Sequence, residues 1–175
     1  NIDYSELLQK IAAWSEELGF QQLGVSDIDL SIHDKHLNEW LQAGFHGEMD
    51  YMFKHGSKRS HPEQLVDNTC RVISVRMDYM PPDCDLSDTV LENPKIAFFS
   101  RYALGRDYHM LMGKRLQKLA DMIKKAIGEF GYRVFVDSAP VLEKALAEKA
   151  GLGWIGKHTN LNNQKAGSWF FLGEI

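Results

Sequence analysis

Cysteine is scarce in this chain, which has two, Cys70 and Cys84, among 175 residues. Two thiols cannot build a disulfide framework, nor can they supply the four thiolates of one iron–sulfur cluster. They read as reduced thiols of a cytoplasmic protein. Long hydrophobic runs are also missing: no stretch approaches the roughly 18 to 20 apolar residues of a membrane span. The start lacks a basic segment followed by an apolar one, so no secretory signal is expected. Proline is limited to five residues, and three of them, Pro81, Pro82 and Pro94, mark residues 80–94 as a loop. Bases are rare early on: residues 1–50 hold ten acids against two bases, a net of −8.

What is present suits one packed core. Hydrophobic residues make up 44% and aromatics 11%, so residues 1–175 read as a single domain. The whole chain carries −4, which leaves +4 on residues 51–175. Residues 95–133 concentrate nine bases against Asp107, Asp121 and Glu129. Such a cluster can attract an anionic partner such as nucleic acid, or it can be the solvated face of an amphipathic helix. Charge alone leaves both readings open.

Periodicity places the elements. Leu7, Leu8, Ile11, Trp14 and Leu18 recur at helical spacing up to Gly19. A strand is expected over 20–26, a helix over 33–43 ending at Gly44, and a short helix over 47–55. Residues 70–79 (CRVISVRMDY) and 95–102 (KIAFFSRY) both read as strands. Met112, Leu116, Leu119, Ile123, Ile127 and Phe130 form the stripe of the longest helix, closed by Gly131. A strand over 132–137, a helix over 141–150 and a strand over 168–174 complete the series. Without strict strand–helix alternation the class is α+β, a mixed sheet flanked by helices. Asn1 is not Met, and the chain stops inside the apolar strand SWFFLGEI, so a longer natural polypeptide is expected.

Several motifs carry chemistry. Residues 151–158 (GLGWIGKH) match G-x-G-x-x-G and nearly match the phosphate-binding loop G-x-x-x-x-G-K. Both need a strand before the glycines and a helix after them. Here a helix precedes and loop-forming residues follow, so a nucleotide-binding enzyme using Gly151–Lys157 is only an alternative reading. His33, His36, His46, His55 and His61 lack Cys or carboxylate partners at ligand spacing and read as solvated. Residues 106–109 (RDYH) sit at the start of the long helix, where Asp107 is either an N-cap or part of a site with its Tyr and His neighbours. Residues 136–140 (VDSAP) put Asp137 at the end of an apolar strand just before a helix. It is either a cap or a carboxylate facing a ligand crevice, and partial burial there would raise its pKa.

Residues 44–52 (GFHGEMDYM), 71–75 (RVISV), 100–109 (SRYALGRDYH), 136–140 (VDSAP) and 147–158 (AEKAGLGWIGKH) occur in this order. Together they resemble the N-terminal part of the epoxyqueuosine reductase family, cobalamin-dependent enzymes of bacterial queuosine biosynthesis. The resemblance implies a scaffold related to cobalamin-processing and nitroreductase-like proteins that cradles base-off cobalamin. It also implies two [4Fe–4S] clusters feeding electrons to the cofactor from an external donor. The substrate would be tRNA carrying epoxyqueuosine at the wobble position, reduced to queuosine.

By position in the family motifs, Asp137 would be the proton donor. Arg59, Tyr102, Asp137, His158 and Leu161 would bind the cofactor, while Arg101, Arg106, Asp107 and Lys157 would lie toward tRNA. The family continues into an eight-cysteine region that this chain does not contain, so the isolated domain is expected to be inactive. A non-catalytic cofactor- or tRNA-binding module is the other alternative. The working protein is expected to be a cytoplasmic monomer without membrane contact.

Overall fold

The computed structural model describes residues 2–81 and 87–175. Helix α1 (Tyr4–Glu17) starts at Asp3, whose carboxylate accepts from the Ser5 and Glu6 amides at 2.9 and 3.1 Å. It ends at Gly19, as its sequence predicts. Strand β1 (Gln22–Ser26), helix α2 (Ser31–Gln42) and the short helix α3 (Tyr51–Lys54) follow. Two 3-10 turns, Gly56–Arg59 and Pro62–Gln64, then lead into strand β2 (Val72–Asp78). Residues 82–86, including Cys84 and part of the expected loop, lie outside the described residues. Helix α4 (Ser87–Leu91) occupies part of what remains of it. Helix α5 (Tyr108–Ile127) is the longest, and it stops at Gly128 rather than Gly131. Helix α6 (Glu143–Lys149), the hairpin of β3 (Trp154–Ile155) and β4 (Leu161–Asn162), and β5 (Phe170–Glu174) complete the chain.

The sheet has the order β1-β2-β5, with antiparallel pairing throughout. Strand alternation divides its two faces. Ile73, Val75 and Met77 of β2 and Phe171 of β5 pack with Ile11, Phe20, Met112, Leu116 and Leu119, so α1 and α5 cover one face. Val72, Phe170 and Leu172 point the other way, toward Leu146 and Ala147 of α6 and Leu152 and Leu161 beside it. Helices therefore flank a sheet, as the α+β expectation has it. Gly173 lets α5 approach closely, since a Cβ there would sit 2.8 Å from Leu116 Cδ1.

Two expected strands take another form. Residues 95–102 stay irregular apart from a 3-10 turn at Arg101–Ala103, and Ile96, Phe98 and Phe99 are exposed. Their β-rich composition joins no sheet: the paired strands are β1, β2 and β5, and the far edge of β5 carries the Phe135 bridge. Residues 132–137 reduce to that single bridge, Phe135 with Glu174. Pairing ends there because Asp137 turns the chain out of line with a φ of 57°.

Leu116 is wholly buried at the centre of the α5 stripe. Leu116→Ala should lower stability by about 2–5 kcal/mol, through lost apolar burial and the cavity left behind. Urea unfolding followed by circular dichroism should show a lower midpoint with an unchanged slope.

Candidate functional site at Asp137

The site grows from the edge of β5. Phe135 exchanges two backbone hydrogen bonds with Glu174, at 2.9 and 3.0 Å, which carries the chain past the sheet to Val136 and Asp137. Asp137 adopts the left-handed backbone region, and the Ser138 amide closes a tight turn onto the Val136 carbonyl at 2.6 Å. A non-glycine residue held this way costs about 1–3 kcal/mol, so its surroundings must enforce it. The Asp137 amide donates to Glu143 Oε1 at 2.7 Å, at the start of α6. At the far end of the loop, the Leu142 amide donates to the Arg59 carbonyl at 3.2 Å.

Helix α5 brings the partners of the carboxylate. Asp107 is its N-cap, and Oδ1 accepts from the His109 amide at 2.9 Å. The same oxygen lies 2.9 Å from His109 Nδ1, while His109 Nε2 lies 3.3 Å from Asp137 Oδ2. With a carboxylate against each ring nitrogen, both nitrogens serve as donors and the ring is favoured as imidazolium. Its pKa is raised accordingly, chiefly by the bond to Asp107 and further by Asp137. The Asp107 carboxyl is lowered by the same bond. Tyr108 Oη donates to Asp137 Oδ2 at 2.7 Å, and its ring stacks on Phe171 of β5 at 3.9 Å and 7°. Burial first, then the Asp137 carboxylate, raises the Tyr108 pKa far above the ordinary phenol value, so the hydroxyl keeps its proton.

Behind Asp137 lies an acidic pair. Glu174 is 1% exposed, and burial together with the nearby Glu143 charge pushes its carboxyl well above the usual range. Burial also raises Glu143, to about 7, although the Asp137 amide acts in the opposite direction. Asp137 itself is open, with 62% of its side chain exposed. The expectation of partial burial there is therefore corrected, because the desolvated carboxyls belong to Glu143 and Glu174. Period-two alternation carried the signal for Glu174, which shares a face with Phe170 and Leu172 in an apolar strand.

The other expected site residues divide. Tyr102 is 53% exposed beside Arg101 in the 3-10 turn, close enough to Tyr79 and Tyr108 to raise both phenols. Arg106 is exposed next to Asp107. Lys157 and His158 stand exposed on the β3–β4 hairpin, with His158 Nε2 3.0 Å from Ser168 Oγ. Lys144 of α6 ties that hairpin down by donating to the Thr159 carbonyl at 2.6 Å. The Leu161 side chain is buried with Ala147 and Leu152, so only its backbone can face a ligand; its carbonyl accepts from Ser168 Oγ at 2.8 Å. Arg59 donates to the Tyr51 carbonyl at 3.2 Å, and its buried Nε has no partner among the described residues.

Gly151 has a structural task. It ends α6 with a φ of 80°, while the Leu152 amide bonds the Ala147 carbonyl and the Gly151 amide bonds the Glu148 carbonyl. A hairpin follows instead of a helix, so the glycine loop lacks the helix N-terminus that phosphate would need. An apolar cavity of about 720 Å³, lined by Leu7, Ile11, Ile73, Ile127 and Ile175, contains none of the groups bonded to the Asp137 carboxylate.

The His109 arrangement is testable by NMR. Its imidazole should titrate above 6.5, and Asp107→Asn should bring it down. Because the folded-state value is raised, the stabilisation is fully present below the unfolded value and fades as pH rises through the folded one.

Comparison with known proteins finds relatives of this chain. Residues 59–138 match the family described as "Epoxyqueuosine reductase QueG, DUF1730". The epoxyqueuosine reductase of Pseudomonas aeruginosa is 62% identical over 173 residues, covering 99% of this chain and 48% of that protein. The Escherichia coli enzyme of the same name is 53% identical over 174 residues, covering 99% and 46%. The chain thus spans about half the length of the curated relatives it matches. Among solved structures, epoxyqueuosine reductase from Streptococcus thermophilus superposes with a TM-score of 0.75 at 24% identity, over 95% of this chain and 44% of that one. An epoxyqueuosine reductase bound to an epoxyqueuosine-modified tRNA-Tyr stem loop gives 0.80 at 20% identity, over 98% and 45%. These two share the fold. Over nearly its entire length the chain is thus similar to about half of each of these epoxyqueuosine reductases, and residues 59–138 carry the match to that family's model.

Proposed function

We propose that this chain is the cobalamin-binding catalytic domain of an epoxyqueuosine reductase, with Asp137 as the proton donor. The observation that carries the reading is the exposed Asp137 carboxylate, hydrogen-bonded by Tyr108 and by a His109 whose pKa is raised. The names of the curated relatives support epoxyqueuosine as the substrate, and the solved complex of such a reductase with an epoxyqueuosine-modified tRNA-Tyr stem loop supports tRNA as its carrier; the wobble position is part of the proposal.

Conversion of an epoxide to an alkene with loss of its oxygen as water consumes two electrons and two protons. The His109 imidazolium, 3.3 Å away, passes a proton to the Asp137 carboxylate, which delivers it to the departing oxygen, and a second proton from solvent completes the water released. Tyr108 keeps the carboxylate aimed outward while its own proton stays in place. Tyr102, His158, the Leu161 backbone and Arg59 would hold the cofactor. The exposed Tyr102 and His158 and the unpartnered Arg59 Nε fit a group rich in amide arms. Reduced cobalamin would supply the electrons when bound.

The [4Fe–4S] clusters do not fit the residues present: two cysteines fall short of four ligands, and no metal-binding group of three or more His, Cys, Asp or Glu occurs among the described residues. Arg101, Arg106, Asp107 and Lys157 would lie on the tRNA side, where the three bases suit backbone phosphates. Lys114, Lys118 and Lys125 extend that charge along the exposed side of α5.

In a full-length reductase carrying this sequence, cob(II)alamin titration should give the base-off visible and electron-spin spectra. Asp137→Asn should retain that binding and lower turnover about 10²- to 10⁴-fold. Undiminished turnover in the variant would remove Asp137 from the mechanism. Replacing Arg106 and Lys157 with Ala should weaken tRNA binding and flatten its salt dependence, read by fluorescence anisotropy at several ionic strengths.

A further inference from the structure

We infer that Glu143 is a positioning residue: its carboxyl clamps the Asp137 amide and thereby holds the catalytic loop in the left-handed turn that points the Asp137 carboxylate outward. The inference rests on the Asp137 reading and adds the group that enforces it. Asp137 follows directly on a buried Val136, so small backbone rotations at 137 swing its side chain across the mouth of the site. Besides the Tyr108 and His109 bonds to the side chain, two bonds hold the backbone against that rotation. One is local, the Ser138 amide to the Val136 carbonyl, and would follow the loop wherever it moved. The other, from the Asp137 amide to Glu143 Oε1 at 2.7 Å, ties the loop to an independent element.

That element is firmly seated. Helix α6 packs on β1, β2 and β5, with Ala145, Leu146 and Ala147 buried, so Glu143 offers a fixed acceptor. The groups acting on the Glu143 carboxyl come from three directions. Glu174 of β5 lies on the sheet side, Asp137 bonds through its amide, and His109 of α5 contributes positive charge across the site. Burial raises the Glu174 carboxyl well above the usual range, which favours its neutral form beside Glu143. The clamp needs only an acceptor oxygen, which the Glu143 carboxyl offers in either protonation state. Glu143 touches no reacting atom in this scheme; it acts through Asp137.

The test compares Glu143→Gln, which keeps an acceptor oxygen, with Glu143→Met, which has similar length and apolar bulk but no such oxygen. Both are made in the full-length, cofactor-loaded enzyme. Hydrogen exchange across residues 134–142 should be about tenfold faster in the Met variant and near wild type in the Gln variant, with α5 and β2 unchanged in both. In the Met variant kcat should fall at least tenfold while KM and cobalamin affinity stay within about twofold, and Gln should restore most of kcat. Unchanged exchange in the Met variant, or failure of Gln to restore it, overturns the clamp. Faster loop exchange with full turnover in both Glu143→Met and Asp137→Asn leaves the clamp standing and overturns the proton-donor role of Asp137.

Discussion

Strand β5 pairs with β2 along one edge and is bridged by Phe135 at Glu174 on the other, and the site depends on that constraint. A buried strand must satisfy its amides and carbonyls, and β5 does so with β2 on one side and Phe135 on the other. The single bridge at Phe135 brings the following residues to the rim of the sheet and releases them there. The same strand supplies Phe171 beneath the Tyr108 ring and Glu174 beneath Glu143. Its alternation thus supports the Asp137 carboxylate from one face and the Asp137 amide from the other.

The α6 side of the sheet is unusually polar for a buried surface. Gly24, Ser74 and Glu174 lie side by side across the three strands, the Ser74 hydroxyl has no hydrogen-bond partner among the described residues, and the Glu174 carboxyl faces that of Glu143. A buried carboxyl without a full set of partners is costly, and the cost is limited here by keeping it protonated. Arg76 continues this row, 5% exposed, with its guanidinium over the Phe170 ring and an ion pair to Asp78 at 3.0 Å. Stability has been traded for polarity directly behind the catalytic loop.

Much of this architecture was legible in the order of residues. The stripe from Met112 to Ile127 marked α5 and its buried side, and CRVISVRMDY marked the central strand, because both patterns are local. The segment KIAFFSRY misled because a strand forms only by pairing with another, which no local pattern reports. At the site, Asp137 stood out by its place between strand and helix. The contribution of Glu143 stayed hidden because a glutamate in the first turn of a helix is ordinary. Only the fold shows its oxygen meeting the Asp137 amide. Leu161 shows the reverse case, a residue marked by its motif whose side chain belongs to the core.

Asp107 uses one oxygen, Oδ1, for two bonds, one to the backbone of α5 and one to the His109 ring. The first turn of the helix and the charge beside Asp137 therefore share a single atom. Exchange of Asp107 for Ser would keep an acceptor for the helix amide while removing the negative charge that holds the imidazolium. Exchange for Glu would keep the charge but move it one methylene away from the cap. Neither replacement preserves both, so drift at this position is blocked by two unrelated demands, and a compensating change for one would leave the other unmet.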